Sequence, residues 1–258
     1  MQPPVYVINL DTSLDRLLKS KERLEEQSIT SERISGVLGS ALTQEELKKH
    51  YCPNLNREKY HTALTPSQIG CYLSHRKAWE RTANGEAPYA IVLEDDIKLI
   101  GNLTNAIQTI ESFNFPWDLI KLSAYQSRLR KIKFSRLVAN DMNLVIHNKP
   151  MSGGAATAIS KSAAKRLLAA TEKFGRPVDT DIQHFWEKNI EVVSLMPYPI
   201  AQDMKFDSMI AAKKVNRKKY FWKKKWQQLL DGITNYREVR KQIKKLQKLL
   251  KNYQNKTS

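Results

Sequence analysis

Cysteine is nearly absent from this sequence: Cys52 and Cys71 are the two in 258 residues. Spaced as neither a CxxC pair nor a metal-ligand set, they exclude a disulfide framework and predict free thiols in a reducing compartment. Long apolar runs are missing too. No stretch approaches the ~20 residues that span a bilayer, and the opening MQPPVYVINL lacks the basic region and long apolar stretch of a signal peptide. A cytosolic protein without a membrane span is the expectation. Acids are scarce, 26 against 43 Lys/Arg, and the resulting charge of +17 is uneven. Residues 213–258 hold 16 Lys/Arg against Asp231 and Glu238, which leaves only +3 for residues 1–212. The basicity therefore belongs to an appendage. With 41% hydrophobic residues the chain can build one sizeable core, and disorder along its whole length is excluded.

What is present alternates between two periodicities. Val5 to Leu10 is β-rich, and Thr12 with Asp15 forms a capping pair for a helix through about Glu26. A polar, loop-rich stretch over 35–64 leads to Thr65-Pro66-Ser67-Gln68, where a hydroxyl N-cap, Pro at N1 and Gln at N3 start a helix through about Thr82. The run YAIVL (89–93) reads as a buried strand, Leu103–Phe113 as a helix and Trp117–Leu122 as a strand. Residues 125–150 suit a hairpin, Ser152-Gly153-Gly154 opens a strand to Ile159, and Ser160 caps a helix ending at Gly175. Short strands alternating with helices predict an α/β layer fold with a mainly parallel central sheet, whose ligands bind beyond the carboxyl ends of the strands.

YAIVL ends in Glu94-Asp95-Asp96. Three adjacent carboxylates repel one another, and burying each costs several kcal/mol unless a positive charge compensates. A hard divalent ion such as Mg²⁺ or Mn²⁺, which also holds substrate phosphates, would compensate them; a solvated acidic turn capping the next helix is the alternative. Strand alternation would point Glu94 and Asp96 one way and Asp95 the other.

Val5 to Asp11 with Asp15-Arg16, Leu64 to His75 (LTPSQIGCYLSH), Val92 to Asp96 (VLEDD), and Pro177 to Asp181 with His184-Phe185-Trp186 together resemble glycosyltransferase family 25. The similarity runs through residues 4–208. It implies a GT-A-like nucleotide-sugar-binding domain, a Mn²⁺-dependent (or Mg²⁺-dependent) inverting transfer from a UDP-sugar, galactose or glucose, and a lipooligosaccharide acceptor at the inner face of a bacterial inner membrane. On that resemblance Asp96 is the direct metal ligand, shared with Glu94, while Asp95 takes ligation or ribose contacts. Asp179 and Asp181 become candidate general bases; N-capping and the helix dipole are their alternatives. Asn9, Asp11 and Arg16 stand where base and ribose would be read. Ser74 and His75, with Gly70, Lys77 and Cys71 nearby on the same helix, would touch the diphosphate or sugar, or else cap internal hydrogen bonds. Gly153-Gly154 would admit the donor sugar closely or form a tight turn. A further ligand or lid is expected among Gln202, Asp203, Asp207 and Ser208, and His184 reads as a packed helical histidine or a site residue.

Residues 213–258 interleave cations with Tyr220, Phe221, Trp222 and Trp226. Beyond them Leu229, Leu230, Ile233, Tyr236, Val239, Ile243, Leu246, Leu250 and Tyr253 recur at helical steps. This basic helical extension fits an anionic membrane surface, a coiled coil or self-packing, or nucleic acid, the last without a recognised motif. A non-catalytic nucleotide or carbohydrate binder and a nucleic-acid-binding protein are the rival function classes.

Overall fold

The computed structural model describes residues 2–125, 129–203 and 221–254. In chain order the regular elements begin with β1 (Val5–Asn9), α1 (Leu14–Glu25), β2 (Glu32–Ser35), α2 (Gln44–His50), α3 (Pro53–Lys59) and α4 (Pro66–Asn84). Next come β3 (Tyr89–Glu94), β4 (Ile97–Leu99), α5 (Leu103–Glu111), β5 (Leu119–Lys121), β6 (Ile132–Leu137) and β7 (Asn143–His147). The order closes with β8 (Ala156–Ser160), α6 (Lys161–Ala170), α7 (Val178–Ile182), β9 (Val192–Met196), β10 (Ile200–Gln202) and α8 (Phe221–Gln254).

Eight strands form one sheet in the order β2-β1-β3-β8-β5-β9-β7-β6. Six run in one direction, with β8 and β7 reversed, so the expected α/β architecture with a mainly parallel sheet is the one adopted. Tyr89 to Leu93 of β3 are buried without exception, as a central strand covered on both faces requires. Fully burying each such aliphatic side chain contributes roughly 1.5–3 kcal/mol. A separate ribbon pairs β10 with β4 antiparallel and sets Gln202 opposite Ile97.

Local chemistry explains most boundaries and corrects a few. Thr65 and Gln68 make the expected capping box of α4, each side chain accepting from the other's backbone N–H. Thr12 and Asp15 make no cap: α1 starts after Ser13, whose carbonyl accepts from Asn9 Nδ2 at 2.8 Å, so a strand residue pins this turn. The stretch read as loop contains α2, with its own Thr43–Glu46 capping box, and α3, opened by Pro53. Helix α6 stops at Ala170, and Gly175 serves instead as a close contact, since a Cβ there would meet the backbone of Leu55 and Asn56.

Of the basic extension, Phe221–Gln254 form one 34-residue helix, α8. Asn235, Val239, Gln242 and Leu246 are buried against the sheet domain. Asn235 Nδ2 donates to the Asn148 carbonyl at 2.6 Å and Gln242 Nε2 to the Val192 carbonyl at 2.8 Å. One face of the extension is thus self-packed. No helix among the described residues is long and apolar enough to cross a membrane.

Candidate functional site

Strands β1 and β3 are parallel neighbours, so both chains leave the sheet at the same edge. A cavity of about 490 Å³ opens beyond it, within the range of small-molecule sites. Its walls are Arg16 of α1, the loop 36–40, the first turns of α4, the acidic triplet, Gly153-Gly154 ahead of β8, Asp179-Thr180 of α7, and Gln202.

Glu94 is the last residue of β3 and Asp95-Asp96 turn into β4, so the expected strand alternation fails and all three acids line the cavity. Their surroundings differ sharply. Asp95 Oδ2 accepts from Asn9 Nδ2 at 2.7 Å, and Oδ1 lies 2.6 Å from Arg16 Nη2. Asp96 Oδ2 accepts from Gln202 Nε2 at 2.7 Å and lies 3.2 Å from Arg16, whereas its Oδ1 is buried with no hydrogen-bond partner among the described residues. Glu94 Oε1 lies 3.1 Å from His75 Nε2.

Burial, and then the charge of Glu94, push the Asp96 carboxyl up to about 6. Burial likewise raises Asp95, against the opposing effects of Asn9 and Arg16. For Glu94 burial acts in the same sense, but the His75 hydrogen bond and nearby cations outweigh it and hold its carboxyl below the ordinary value. A buried carboxylate oxygen without a donor is costly unless something positive occupies the gap. The residues present therefore fit a hard divalent cation at Asp96, with Glu94 beside it. Cys71, His75 and Glu94 form a second set, their ligand atoms all within 4.8 Å of one another; its thiol makes it softer.

Glycines make this wall possible. A Cβ on Gly154 would come within 2.5 Å of Glu94 Oε1 and 3.1 Å of His75 Nε2, so only glycine lets the His75–Glu94 pair close. Gly153 has φ +91°, in glycine's region, and its carbonyl accepts from the buried ammonium of Lys121. Burial pushes Lys121 down to about 8, with Asp179 and Glu94 opposing that change. Gly39 and Gly70 let the loop 36–40 lie directly on α4, where the Ser74 hydroxyl accepts from the Val37 amide at 2.8 Å and donates to the Gly70 carbonyl at 2.7 Å.

Of the residues proposed from sequence, Arg16, Ser74, His75, Glu94, Asp95, Asp96, Gly153, Gly154, Asp179 and Gln202 line this one cavity. Others do not. Asn9 is buried behind Asp95 and orients it. Asp11 is exposed and bound to Arg33 and Ser35. Lys77 donates to the Ser35 carbonyl at 3.1 Å. Asp203 is buried 2.7 Å from Arg23, while Asp207 and Ser208 lie outside the described residues.

Asp181 requires the largest correction. Its carboxylate is buried, 2.6 Å from Lys188 Nζ and 3.1 Å from Arg176 Nη1, and it accepts from the Tyr72 hydroxyl at 2.6 Å. Burial would raise its carboxyl, but Lys188 and Arg176 outweigh burial and hold it low. An acid so neutralised, outside the cavity lining, is a structural anchor and a poor base. Asp179 is no N-cap, because Pro177 takes that position; Asp179 Oδ1 accepts from the Thr180 amide at 2.7 Å. His184 is packed, with Nε2 3.1 Å from Asp231 of α8.

Lys121 and Tyr125 escape sequence reasoning as parts of the site, whereas Cys71, expected beside His75, does line the cavity. Lys121 had a signal in being a lone cation in an apolar strand. Tyr125, whose ring covers Gly153, had none.

Procollagen galactosyltransferase 2 of Mus musculus is 28% identical over 210 residues, 78% of this chain and 33% of that protein, and the Homo sapiens protein of that name matches with the same figures. The chain thus spans about a third of the length of these curated relatives. Among solved structures, a mutant Drosophila β-1,4-galactosyltransferase 7 in complex with manganese, UDP-Gal and xylobiose aligns over 85% of this chain and 79% of that one, at 7% identity and a TM-score of 0.41. So slight a structural likeness carries no argument. The family model described as glycosyltransferase family 25 (LPS biosynthesis protein) matches residues 2–182, which hold β1, α4, the acidic triplet and Asp179, and the chain belongs to that family.

Proposed function

We propose that this chain is an inverting, metal-dependent hexosyltransferase that moves galactose from UDP-galactose to a hydroxyl of a terminal sugar in lipooligosaccharide. The observation that carries the reading is the buried Oδ1 of Asp96, without a hydrogen-bond partner among the described residues, in the wall of a ligand-sized cavity. A divalent ion held by Asp96 and Glu94 would supply positive charge for the departing diphosphate. Gln202 and Arg16 fix the Asp96 carboxylate by its other oxygen. Arg16 also adds a permanent cation on the side where phosphate charge would gather. Asp179, the remaining carboxylate in the cavity wall among the described residues, would be the base that takes the acceptor proton. Gly153-Gly154 leave room in the cavity wall for the Tyr125 ring and the His75–Glu94 pair. Galactose as donor rests on the names of the curated relatives, and the lipooligosaccharide acceptor on the family's description.

A panel of UDP-Gal, UDP-Glc, UDP-GlcNAc and UDP-GalNAc, each with and without Mn²⁺, tests the reading through UDP release. Turnover of UDP-Gal with Mn²⁺, reduced at least 100-fold by Asp96→Asn and by Asp179→Asn, is the expected result. UDP binding without turnover by any donor would make the protein a nucleotide-sugar binder, and no response to donor or metal would sink both readings.

A further inference from the structure

We propose that the outward face of α8 is a docking surface for an anionic lipid bilayer. The helix is fastened to the sheet domain along Asn235, Val239, Gln242 and Leu246. Nine residues make about two and a half helical turns, so a residue nine positions earlier lies on the opposite side. Trp226, Leu230, Ile233 and Arg237 stand in that relation to those four. Trp226, Leu229, Leu230 and Ile233 are 64%, 56%, 50% and 59% exposed. They sit on the face turned away from the only part of the protein seen to contact this helix among the described residues.

Farther along, the same outward line is cationic: Arg237, Arg240, Lys244, Lys248 and Lys251 are all exposed. Neither acid of the helix falls on it. Asp231 lies 3.1 Å from His184, and Glu238 pairs with Lys241 at 2.7 Å. The face is therefore apolar over its first half and positive over its second. A second copy of the helix would match only one half, since parallel pairing sets cations against cations and antiparallel pairing sets them against leucines. Nucleic acid would take the cations and leave the tryptophan and aliphatic side chains in water. An anionic bilayer accepts both, the apolar group entering the headgroup boundary and the cations meeting lipid phosphates.

The surface is independent of the cavity's chemistry, so its test is separable from turnover of UDP-sugars. Co-sedimentation of the full chain with vesicles of phosphatidylcholine alone, or with one quarter phosphatidylglycerol, measures the binding. Wild type is expected to bind the anionic vesicles at least tenfold more tightly. Lys244→Glu/Lys248→Glu/Lys251→Glu should remove that preference, and Trp226→Ser/Ile233→Ser should weaken binding at least fivefold at physiological salt, with circular dichroism unchanged in both. Equal binding to both vesicle types overturns the proposal. So does a dimer in light scattering that Trp226→Ser/Ile233→Ser abolishes, or retention on duplex DNA without retention on vesicles.

Discussion

Asp96 is held in a form that opposes folding. Its carboxyl is raised to about 6 from an ordinary value of 3.8. The native state therefore binds that proton more tightly than the unfolded chain does. This contribution favours the fold below about pH 3.8 and is lost as pH rises through about 6. Removing the charge at pH 7.5 should stabilise the metal-free protein. Asp96→Asn is predicted to raise Tm by about 2–4 °C, on the order of 1 kcal/mol, with the gain vanishing as pH falls toward 4; an unchanged Tm at pH 7.5 refutes it. Gly154→Ala poses the complementary case, a methyl group driven between Glu94 and His75. Fluorimetric melting should show a change of less than about 1 kcal/mol, because a flexible carboxylate end can move aside. Transfer, in contrast, should drop at least tenfold. Equal losses of stability and activity would show that the glycine serves packing alone.

At the scale of elements, the site depends on how α4 meets the loop 36–40. Gly70 and Gly39 bring two backbones together, and a Cβ on Gly70 would meet the Val37 carbonyl and lie 2.6 Å from the Gly39 nitrogen. Backbone on both sides cannot rotate away as a side chain can. Gly70→Ala is predicted to destabilise by about 1–3 kcal/mol and to weaken UDP binding in calorimetry, since the displaced loop is a wall of the cavity. Full UDP affinity in the folded variant would separate the loop from the nucleotide.

For the whole molecule, acid stability should be governed by the cluster of Arg176, Lys188, Asp181 and Glu187. Arg176 reaches Asp181 at 3.1 Å and Glu187 at 2.9 Å, and Lys188 reaches both acids. Burial works against ionisation of each acid, but the cations prevail and hold both carboxyls below their ordinary values. A depressed carboxyl contributes stability above its unfolded value, near 4, and loses it as pH falls. Melting curves between pH 2 and 7 should accordingly show Asp181→Asn about 3–5 kcal/mol less stable at pH 7, where Lys188 and Arg176 lose a buried partner, with the gap narrowing below pH 4. Its kcat at a temperature where it remains folded should stay near wild type; loss of turnover in the folded variant would restore Asp181 as a base.

The division between sequence and structure runs along the range of the interactions. The Thr65–Gln68 capping box, the apolar run of β3 and the acids that end it are local chemistry, so the start of α4 and the edge carrying the site were legible in the residues. Folding decided what depends on neighbours distant in sequence. Asn9 and Arg16 occupy Asp95, Gln202 arrives at Asp96 through the β4–β10 ribbon, and Lys188 and Arg176 turn Asp181 from a candidate base into an anchor. Periodicity likewise marked α8 as amphipathic but could not say which apolar positions the domain would cover. Val239 and Leu246 went inward and Trp226 and Ile233 outward, because hydrophobic pattern is a property of one helix and burial a property of the surface that meets it.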